Sequence, residues 1–248
     1  MAGTMKQDAY RYILQKMMRG ELEPGMQISE LSVAAELGIS RSPVRDALSQ
    51  MVAEGMVERV PRYGTVIKKF TAQEIADLYD LRVALESYAA EQAARKIDPD
   101  ALKRLEAACE GIEQIADKLK ETGKGELDGE MLSEMSQLDM EFHLIILRAT
   151  GNRMLLKSAF DSKVMSRIFG IPRVSSFDWE HVHGIYRYHR DIFDAVQHGD
   201  AEVARASMSR HINFGKEGSL RFIAEQQVCQ EREAFDSVAD DILNGMEF

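Results

Sequence analysis

Residues 37–48, LGISRSPVRDAL, join the end of one predicted helix to the start of another. Gly38 can adopt the left-handed conformation that ends a helix, and Ser40 is a favourable N-cap for the helix that follows. Pro43 falls in the first turn of this second helix, where a backbone N–H has no acceptor within the helix, so the missing donor costs little. Because Ser29 can cap a short preceding helix, the segment predicts a helix-turn-helix.

The second of these helices has two distinct faces. Arg41 and Arg45 are four residues apart and share one side near the helix start, whereas Val44, Leu48 and Met51 form an apolar stripe on the other side. A helix that reads DNA needs this arrangement, because arginine binds guanine edges or phosphates while the apolar back packs on the preceding helix. A surface helix whose arginines are only solvated would show the same spacing, so the spacing alone leaves both interpretations open.

The segments on either side of this motif complete a small head. Residues 6–20 carry apolar side chains at three- and four-residue steps, which predicts an amphipathic helix that stops at Gly20. Residues 57–60 and 65–67 flank the tight turn 61–64 and predict a β-hairpin wing.

A long helix is predicted directly after the wing. Thr71 and Glu74 form a capping-box pattern, and the helical period continues to about Lys96. We therefore expect two domains, a winged helix-turn-helix over residues 1–70 and an all-helical domain over 71–248. Further helices are predicted at about 99–121, 131–149, 152–169, 178–198 and 201–227, with a short tail helix and with loops at 121–130 and 170–176. The predicted fold is mainly α, a winged helix-turn-helix followed by an all-α helical bundle.

Charge is distributed unevenly along the 248-residue chain, whose net charge is -10. Residues 1–69 contain 10 Lys and Arg against 8 Asp and Glu, whereas the remainder contains 21 against 33. A mildly basic head on an acidic body fits a protein that contacts nucleic acid with one end only.

The composition argues against several other classes of protein. No stretch approaches the roughly 18 apolar residues that span a bilayer, and the first residues lack the apolar segment of a signal peptide, so we expect a cytoplasmic protein. Cys109 and Cys229 are far apart in the sequence, which argues against a disulfide scaffold or a zinc ribbon. We expect both to be buried or half-buried thiols.

The predicted helix 131–149 carries two ionisable side chains on its inward side. At 100° per residue, Asp139 and His143 point away from Glu141 and Arg148, which form the plausible solvent stripe. A buried carboxylate and imidazole must be paired, hydrogen-bonded or bound to a metal, because desolvation otherwise makes their burial costly.

Two later helices each add a histidine on an apolar stripe. His189 and His211 both occupy positions where a core residue is expected, and either alone could be a core histidine with one hydrogen bond. Three such histidines together with a carboxylate favour a ligand set. His181, His183 and His198 lie near helix ends and are predicted to be surface residues.

The head resembles the GntR family of bacterial regulators from about Tyr10 to Thr71. The matching segments are the G-x-L-x-P-G stretch at 20–25, LGISRSPVRDAL at 37–48, the EGMV step at 54–57 and Gly64 in the wing. The resemblance implies that Arg41 and Arg45 contact operator DNA, and that the wing tip enters the minor groove. The DNA-binding set expected from it is Ser40, Arg41, Ser42, Arg45, Arg62, Tyr63 and Gly64.

The remainder, about 74–222, resembles the FCD effector domain of the FadR subfamily. The matching segments are D-x-x-F-H at 139–143, Gly-Asn at 151–152, H-x-x-I-x-x-A-V from 189 with Gly-Asp at 199–200, and A-x-x-x-M-x-x-H-I from 204. In metal-binding members four of these places are ligands, which implies that a divalent metal is bound by Asp139, His143, His189 and His211. One carboxylate and three imidazoles suit Zn²⁺, Ni²⁺, Mn²⁺ or Fe²⁺, and the ligand types do not choose among them.

Arg82 interrupts an inward apolar stripe that includes Ile75, Leu78 and Leu85. A buried guanidinium needs an anionic partner, and Glu86, one turn on, can provide it as a structural ion pair. The alternative, suggested by its place in the first sensing helix of the family, is that Arg82 holds the carboxylate of an effector lying on the metal.

These features predict an effector-responsive DNA-binding homodimer, because paired recognition helices usually read a palindrome. The expected partners are operator DNA and a small-molecule carboxylate, with no membrane and no catalysis. Two alternatives stay open at this point. A metal with open positions could activate water in a hydrolase, and the histidines could pack without metal as in regulators that bind acyl-CoA.

Overall fold

The computed structural model describes residues 4–123, 125–170 and 177–244, with side chains as far as residue 225. The predicted loop at 170–176 lies outside these residues apart from Gly170, and the side chain of Cys229 lies outside them as well. Cys109 is buried, as predicted, and burial raises the pKa of its thiol to about 12.

Residues 5–67 form the predicted winged helix-turn-helix. Its elements in chain order are α1 (Met5–Arg19), β1 (Gln27–Ile28), α2 (Glu30–Leu37), α3 (Arg41–Ala53), β2 (Val57–Val60) and β3 (Gly64–Ile67). Gly38 ends α2 with a φ of 64°, as its position in the motif predicts. Ser40 precedes α3 at the N-cap position, but its side chain makes no capping hydrogen bond, so the predicted cap is wrong in this respect.

The wing is a three-stranded antiparallel sheet in the order β1-β3-β2. Val57 pairs with Ile67 and Val60 with Gly64, as expected for the hairpin. Strand β1 was not predicted, because two residues are too short to show an alternating pattern. The apolar face of α3 packs inward as expected, with Val44, Leu48 and Met51 fully or almost fully buried.

The rest of the described chain is helical. Its elements are α4 (Ala72–Lys96), α5 (Pro99–Thr122), α6 (Gly129–Ala149), α7 (Arg153–Gly170), α8 (Trp179–His198) and α9 (Ala201–Asn244). Thr71 and Glu74 form the predicted capping box at the start of α4. The predicted fold class, a winged helix-turn-helix with an all-α bundle, is confirmed.

Helix α4 is central to the bundle, because it packs against α6, α7, α8 and α9. Helix α5 covers α6 and α8 from the other side. Helix α9 runs without a break for 44 residues, so the prediction of a helix to about 227 with a separate tail helix is wrong. No Gly or Pro occurs between residues 219 and 244 to end it. Within the described ranges, no helix is both long and apolar enough to cross a membrane.

Candidate metal centre and DNA-binding surface

Four ionisable side chains from three helices converge inside the bundle. Asp139 and His143 come from α6, His189 from α8 and His211 from α9. Each offers one ligand atom, and these four atoms lie within 4.8 Å of one another. The structure therefore brings together all four residues that the sequence nominated as metal ligands.

The distances within this cluster are those of groups that face a common centre. Nε2 of His143 lies 3.1 Å from Nε2 of His211. Oδ1 of Asp139 lies 3.4 Å from Nε2 of His189 and 3.6 Å from Nε2 of His143. All three histidines are buried, and the Asp139 side chain is 24% exposed, which leaves one side of the cluster accessible.

The outward nitrogens of two histidines are held by other groups. Nδ1 of His143 contacts the carboxylate of Glu86, and Nδ1 of His189 donates to the backbone carbonyl of Ile185 at 2.9 Å. A protonated Nδ1 leaves the Nε2 lone pair free to face the centre, which is the arrangement that orients metal-binding histidines. The carboxylate and carbonyl thus act as orienting partners for the two rings.

Two buried imidazole nitrogens lack a hydrogen bond to any described residue. They are Nε2 of His189 and Nδ1 of His211. A buried polar atom without a partner is costly, so such atoms indicate a missing ion or water. Burial lowers the pKa of His189 and of His211, which keeps both rings in the neutral form that binds metals. The donor set and the unpartnered Nε2 of His189, which faces Asp139 in the cluster, therefore fit a divalent metal.

Arg82 forms the buried ion pair with Glu86 that one interpretation of the sequence proposed. Its Nε donates to Glu86 at 2.7 Å and its Nη1 to Ser166 at 3.1 Å. Burial alone would raise the pKa of Glu86, but the charge of Arg82 and the contact with His143 outweigh it and hold that pKa well below its usual range. Glu86 therefore joins Arg82 to His143.

Lys163 on α7 forms a second ion pair at the same place. It is 5% exposed, and its Nζ lies 2.9 Å from Oδ2 of Asp139. Burial works against the Asp139 charge, but Lys163 and the nearby histidines hold the pKa of this carboxyl well below its usual range. One oxygen of Asp139 thus faces the histidines and the other faces Lys163.

A cavity of about 1270 Å³ opens on the accessible side of the cluster. Its walls include Tyr79, Arg82, Asp139, Lys163, Arg167 and His211. Among the residues whose side chains are described, Arg82 uses Nε and Nη1 for its hydrogen bonds, which leaves Nη2 for a ligand in this cavity. The pairing of Arg82 with Glu86 and a role in ligand binding are therefore compatible.

Three contacts at this site were not predicted from the sequence. They are those of Lys163 with Asp139, of Ser166 with Arg82 and of Glu86 with His143. Leu155, Ala159 and Lys163 follow one another at four-residue steps, so Lys163 could have been placed on an apolar side of the predicted helix, as Arg82 was. The contact between Glu86 and His143 joins α4 to α6, and helical periodicity does not show which helices meet.

Two histidines predicted at the surface are in fact half-buried among aromatic rings. His181 lies between Phe177 and Phe214, and His183 stacks on Trp179 with ring centroids 4.8 Å apart. Val182, which lies between them on α8, is fully buried, so the start of this helix packs inside the protein and is not free in solvent. His198 is exposed, as predicted.

The residues nominated for DNA binding all lie on exposed parts of the head. Ser40, Arg41, Ser42 and Arg45 surround the start of α3, and the two arginine side chains are 57% and 56% exposed. Both guanidinium groups contact the same Oε2 of Glu30, at 3.1 and 3.2 Å. Glu30, at the start of α2, was not predicted to take part, and it holds the two arginines side by side.

The tip of the wing is also exposed. Arg62 has a φ of 66° and Gly64 a φ of 111°, so the tip adopts backbone conformations that glycine favours. Tyr63 between them is 56% exposed, and its carbonyl accepts a hydrogen bond from the Gln27 side chain of β1. Strand β1 therefore holds the tip of the wing in place.

This combination of an exposed two-arginine helix, a wing and a histidine-lined helical domain defines a class of DNA-binding regulator. Residues 5–67 match the family model of bacterial regulatory proteins of the gntR family, and residues 77–214 match that of the FCD domain. The chain belongs to the GntR family of bacterial transcriptional regulators and carries an FCD domain.

The relatives agree with this assignment. The chain is 32% identical to the HTH-type transcriptional regulator LutR of Bacillus subtilis, over 78% of this chain and 91% of LutR. It is 29% identical to an HTH-type transcriptional regulator in an unstable DNA locus of Streptomyces ambofaciens, over 84% of this chain and 82% of that one. The solved structure of McbR/YncC of E. coli, 18% identical, shares the fold with a TM-score of 0.74 over 92% of this chain and 100% of the other.

Both matched domains belong to regulators. The chain is accordingly a transcriptional regulator and not an enzyme, and the hydrolase alternative does not hold.

Proposed function

We propose that this regulator changes its affinity for operator DNA when a small carboxylic acid binds at a metal site in the helical domain. The observation that carries the proposal is the convergence of Asp139, His143, His189 and His211 within 4.8 Å at the inner end of an open cavity. A protein without metal would leave the buried Nε2 of His189, which faces Asp139 in the cluster, without a partner, and this disfavours the metal-free, acyl-CoA type of regulator.

DNA binding and effector binding are assigned to different regions of the chain. Residues 1–70 form the DNA-binding domain, which contacts operator through Ser40, Arg41, Ser42 and Arg45 in the major groove and through Arg62, Tyr63 and Gly64 at the wing tip. Residues 71–248 form the effector-binding domain. The protein works as a homodimer, since two recognition helices are needed to read the two halves of a palindromic operator.

In the helical domain, a divalent metal supplies coordination positions that a carboxylate oxygen can fill. The chain's own residues do the rest. Glu86 and the Ile185 carbonyl orient two of the histidine rings, and Lys163 holds the second oxygen of Asp139. Arg82 lines the cavity and binds the remaining oxygen of the effector with its free Nη2.

The test compares three histidine variants. We expect His189→Ala and His211→Ala to lower the metal content of the purified protein and to abolish the effect of small carboxylic acids on operator affinity, while DNA binding without effector survives. His198→Ala, an exposed histidine at the end of the same helix as His189, is the matched control and should behave like the parent.

Two measurements decide the outcome. Metal content is determined by elemental analysis, and affinity is measured for an operator selected from random duplexes, with and without acids that raise the melting temperature of the parent. Full metal content and an unchanged response in both buried-histidine variants would rule the site out.

A further inference from the structure

Arg167 on α7 is a half-buried cation in the wall of the cavity. In the part of the chain whose side chains are described, Arg167 donates a hydrogen bond to the hydroxyl of Ser136, and no carboxylate lies within ion-pair distance of it. The two other cations at this end of the cavity differ in this respect, because Arg82 is paired with Glu86 and Lys163 with Asp139. Asp139 attracts Arg167 only from beyond ion-pair distance and is already paired with Lys163, so these three cations face two carboxylates.

The place of Arg167 follows from the antiparallel packing of α6 and α7. Asp139 on α6 contacts Lys163 on α7, and Ser136, one turn earlier on α6, contacts Arg167, one turn later on α7. The two contacts are thus about 5 Å apart along the helices. Both Ser136 and Arg167 line the same cavity as the metal cluster.

Ser136 holds Arg167 in position without neutralising it. The Ser136 hydroxyl donates to the backbone carbonyl of Leu132 at 2.6 Å, so its oxygen is oriented to accept from the guanidinium. Burial lowers the pKa of Arg167, yet a guanidinium stays protonated in proteins. A partly desolvated charge of this kind is stabilised when an anion comes into contact with it.

We propose that the effector carries two anionic groups, a carboxylate at the Asp139 and histidine cluster and a second carboxylate or phosphate at Arg167. This inference rests on the proposed function, because it places the first group at the metal site. The planar guanidinium can bind either kind of oxyanion with two parallel hydrogen bonds. A monocarboxylic acid would leave Arg167 without a partner.

The experiment compares probes that differ only in the second group. Binding of succinate, 3-phosphonopropionate and butyrate to the metal-loaded full-length protein is measured by calorimetry. Hydrogen bonds to charged groups make a difference of about ten- to a hundredfold in affinity, so one or both dianions should bind about that much more tightly than butyrate. The stronger of the two dianions shows whether the second group is a carboxylate or a phosphate.

Three variants tie the preference to Arg167. Arg167→Ala should reduce the ratio of dianion affinity to butyrate affinity to about one. Arg167→Lys keeps the charge but loses the planar guanidinium that makes two parallel hydrogen bonds, so it should retain part of the preference for dianions. Arg153→Ala removes an exposed arginine from the same helix and should keep the parental ratio. Because the readout is a ratio within each variant, a general loss of stability does not imitate the expected result.

The outcomes separate this inference from the function on which it rests. Equal affinity of the parent for the dianions and butyrate, or an unchanged ratio in Arg167→Ala, overturns the second anionic site and leaves the first intact. It is also possible that none of the three probes binds the metal-loaded parent at millimolar concentration. In that case the second site is overturned if the small acids that do raise the melting temperature of the parent carry a single anionic group. If no carboxylic acid binds at all, the proposed function fails together with it.

Discussion

Replacing Glu86 with Gln tests whether one buried carboxylate holds the candidate metal centre together. Glu86 is fully buried, accepts from Nε of Arg82 at 2.7 Å and contacts Nδ1 of His143. Glu86→Gln keeps the shape but removes the charge, so Arg82 stays buried without an anion. Breaking a buried ion pair in this way costs about 3–5 kcal/mol. For a chain of this length, that corresponds to a fall in melting temperature of about 6–20 °C.

A matched control is available on the same helix. Glu91 also bridges two cations, Arg95 and Arg205, each at 2.9 Å, but these arginines are 58% and 61% exposed. Ion pairs with exposed partners contribute about 0–1 kcal/mol, so Glu91→Gln should lower the melting temperature by no more than about 4 °C. The difference between the two variants measures the effect of burial.

Metal affinity gives a second, independent readout. Loss of the group that orients a metal-binding histidine weakens metal binding by about ten- to a hundredfold. We expect this loss in Glu86→Gln and none in Glu91→Gln, measured by competition with a chelator, and thermal unfolding of the metal-free proteins is followed by circular dichroism. If Glu86→Gln has the same melting temperature as Glu91→Gln and binds metal as tightly as the parent, the role assigned to Glu86 is refuted.

Two further predictions concern the head. Arg41→Ala and Arg45→Ala should each weaken operator binding by about 1–3 kcal/mol if the two arginines read bases. The melting temperature should not change, because both side chains are exposed. If both variants keep the parental affinity and salt dependence, the proposed DNA-reading face is wrong. Gly64→Ala should destabilise the wing by about 1–3 kcal/mol, because a φ of 111° is strained for alanine. Gel-shift assays should then show weaker operator binding. A variant with the melting temperature and the operator affinity of the parent would contradict this.

Local patterns in the sequence were sufficient to place the helices of the head and most of those of the helical domain. The capping box at Thr71 and the left-handed Gly38 are determined by residues within one turn, and both are present in the structure. Strand β1 was missed because it depends on pairing with β3, about 40 residues away, and not on its own two residues. The length of α9 was underestimated because absence of a helix breaker was given too little weight.

The candidate site divides in the same way. Asp139 and His143 could be placed together because they share a face of one helix, and the stripes of their own helices marked His189 and His211 as inward. Which helices face each other is a property of the packed bundle, so the contacts of Glu86 with His143 and of Lys163 with Asp139 could not be read from any single helix. Those contacts determine the charge around the site.

The helices that surround the candidate site also hold the junction with the head. Helix α4, which carries Arg82 and Glu86, begins at Ala72, directly after the wing. Phe70, in the connection before it, stacks on Phe169 of α7, with ring centroids 4.3 Å apart. Helix α7 also carries Lys163, which contacts Asp139. A ligand that draws Arg82 and α7 towards the cluster would therefore act on α4 and α7, the two helices that hold this junction. Packed helices shift as units between discrete arrangements. We expect the head to follow such a shift, because the chain between the wing and α4 is too short to absorb it.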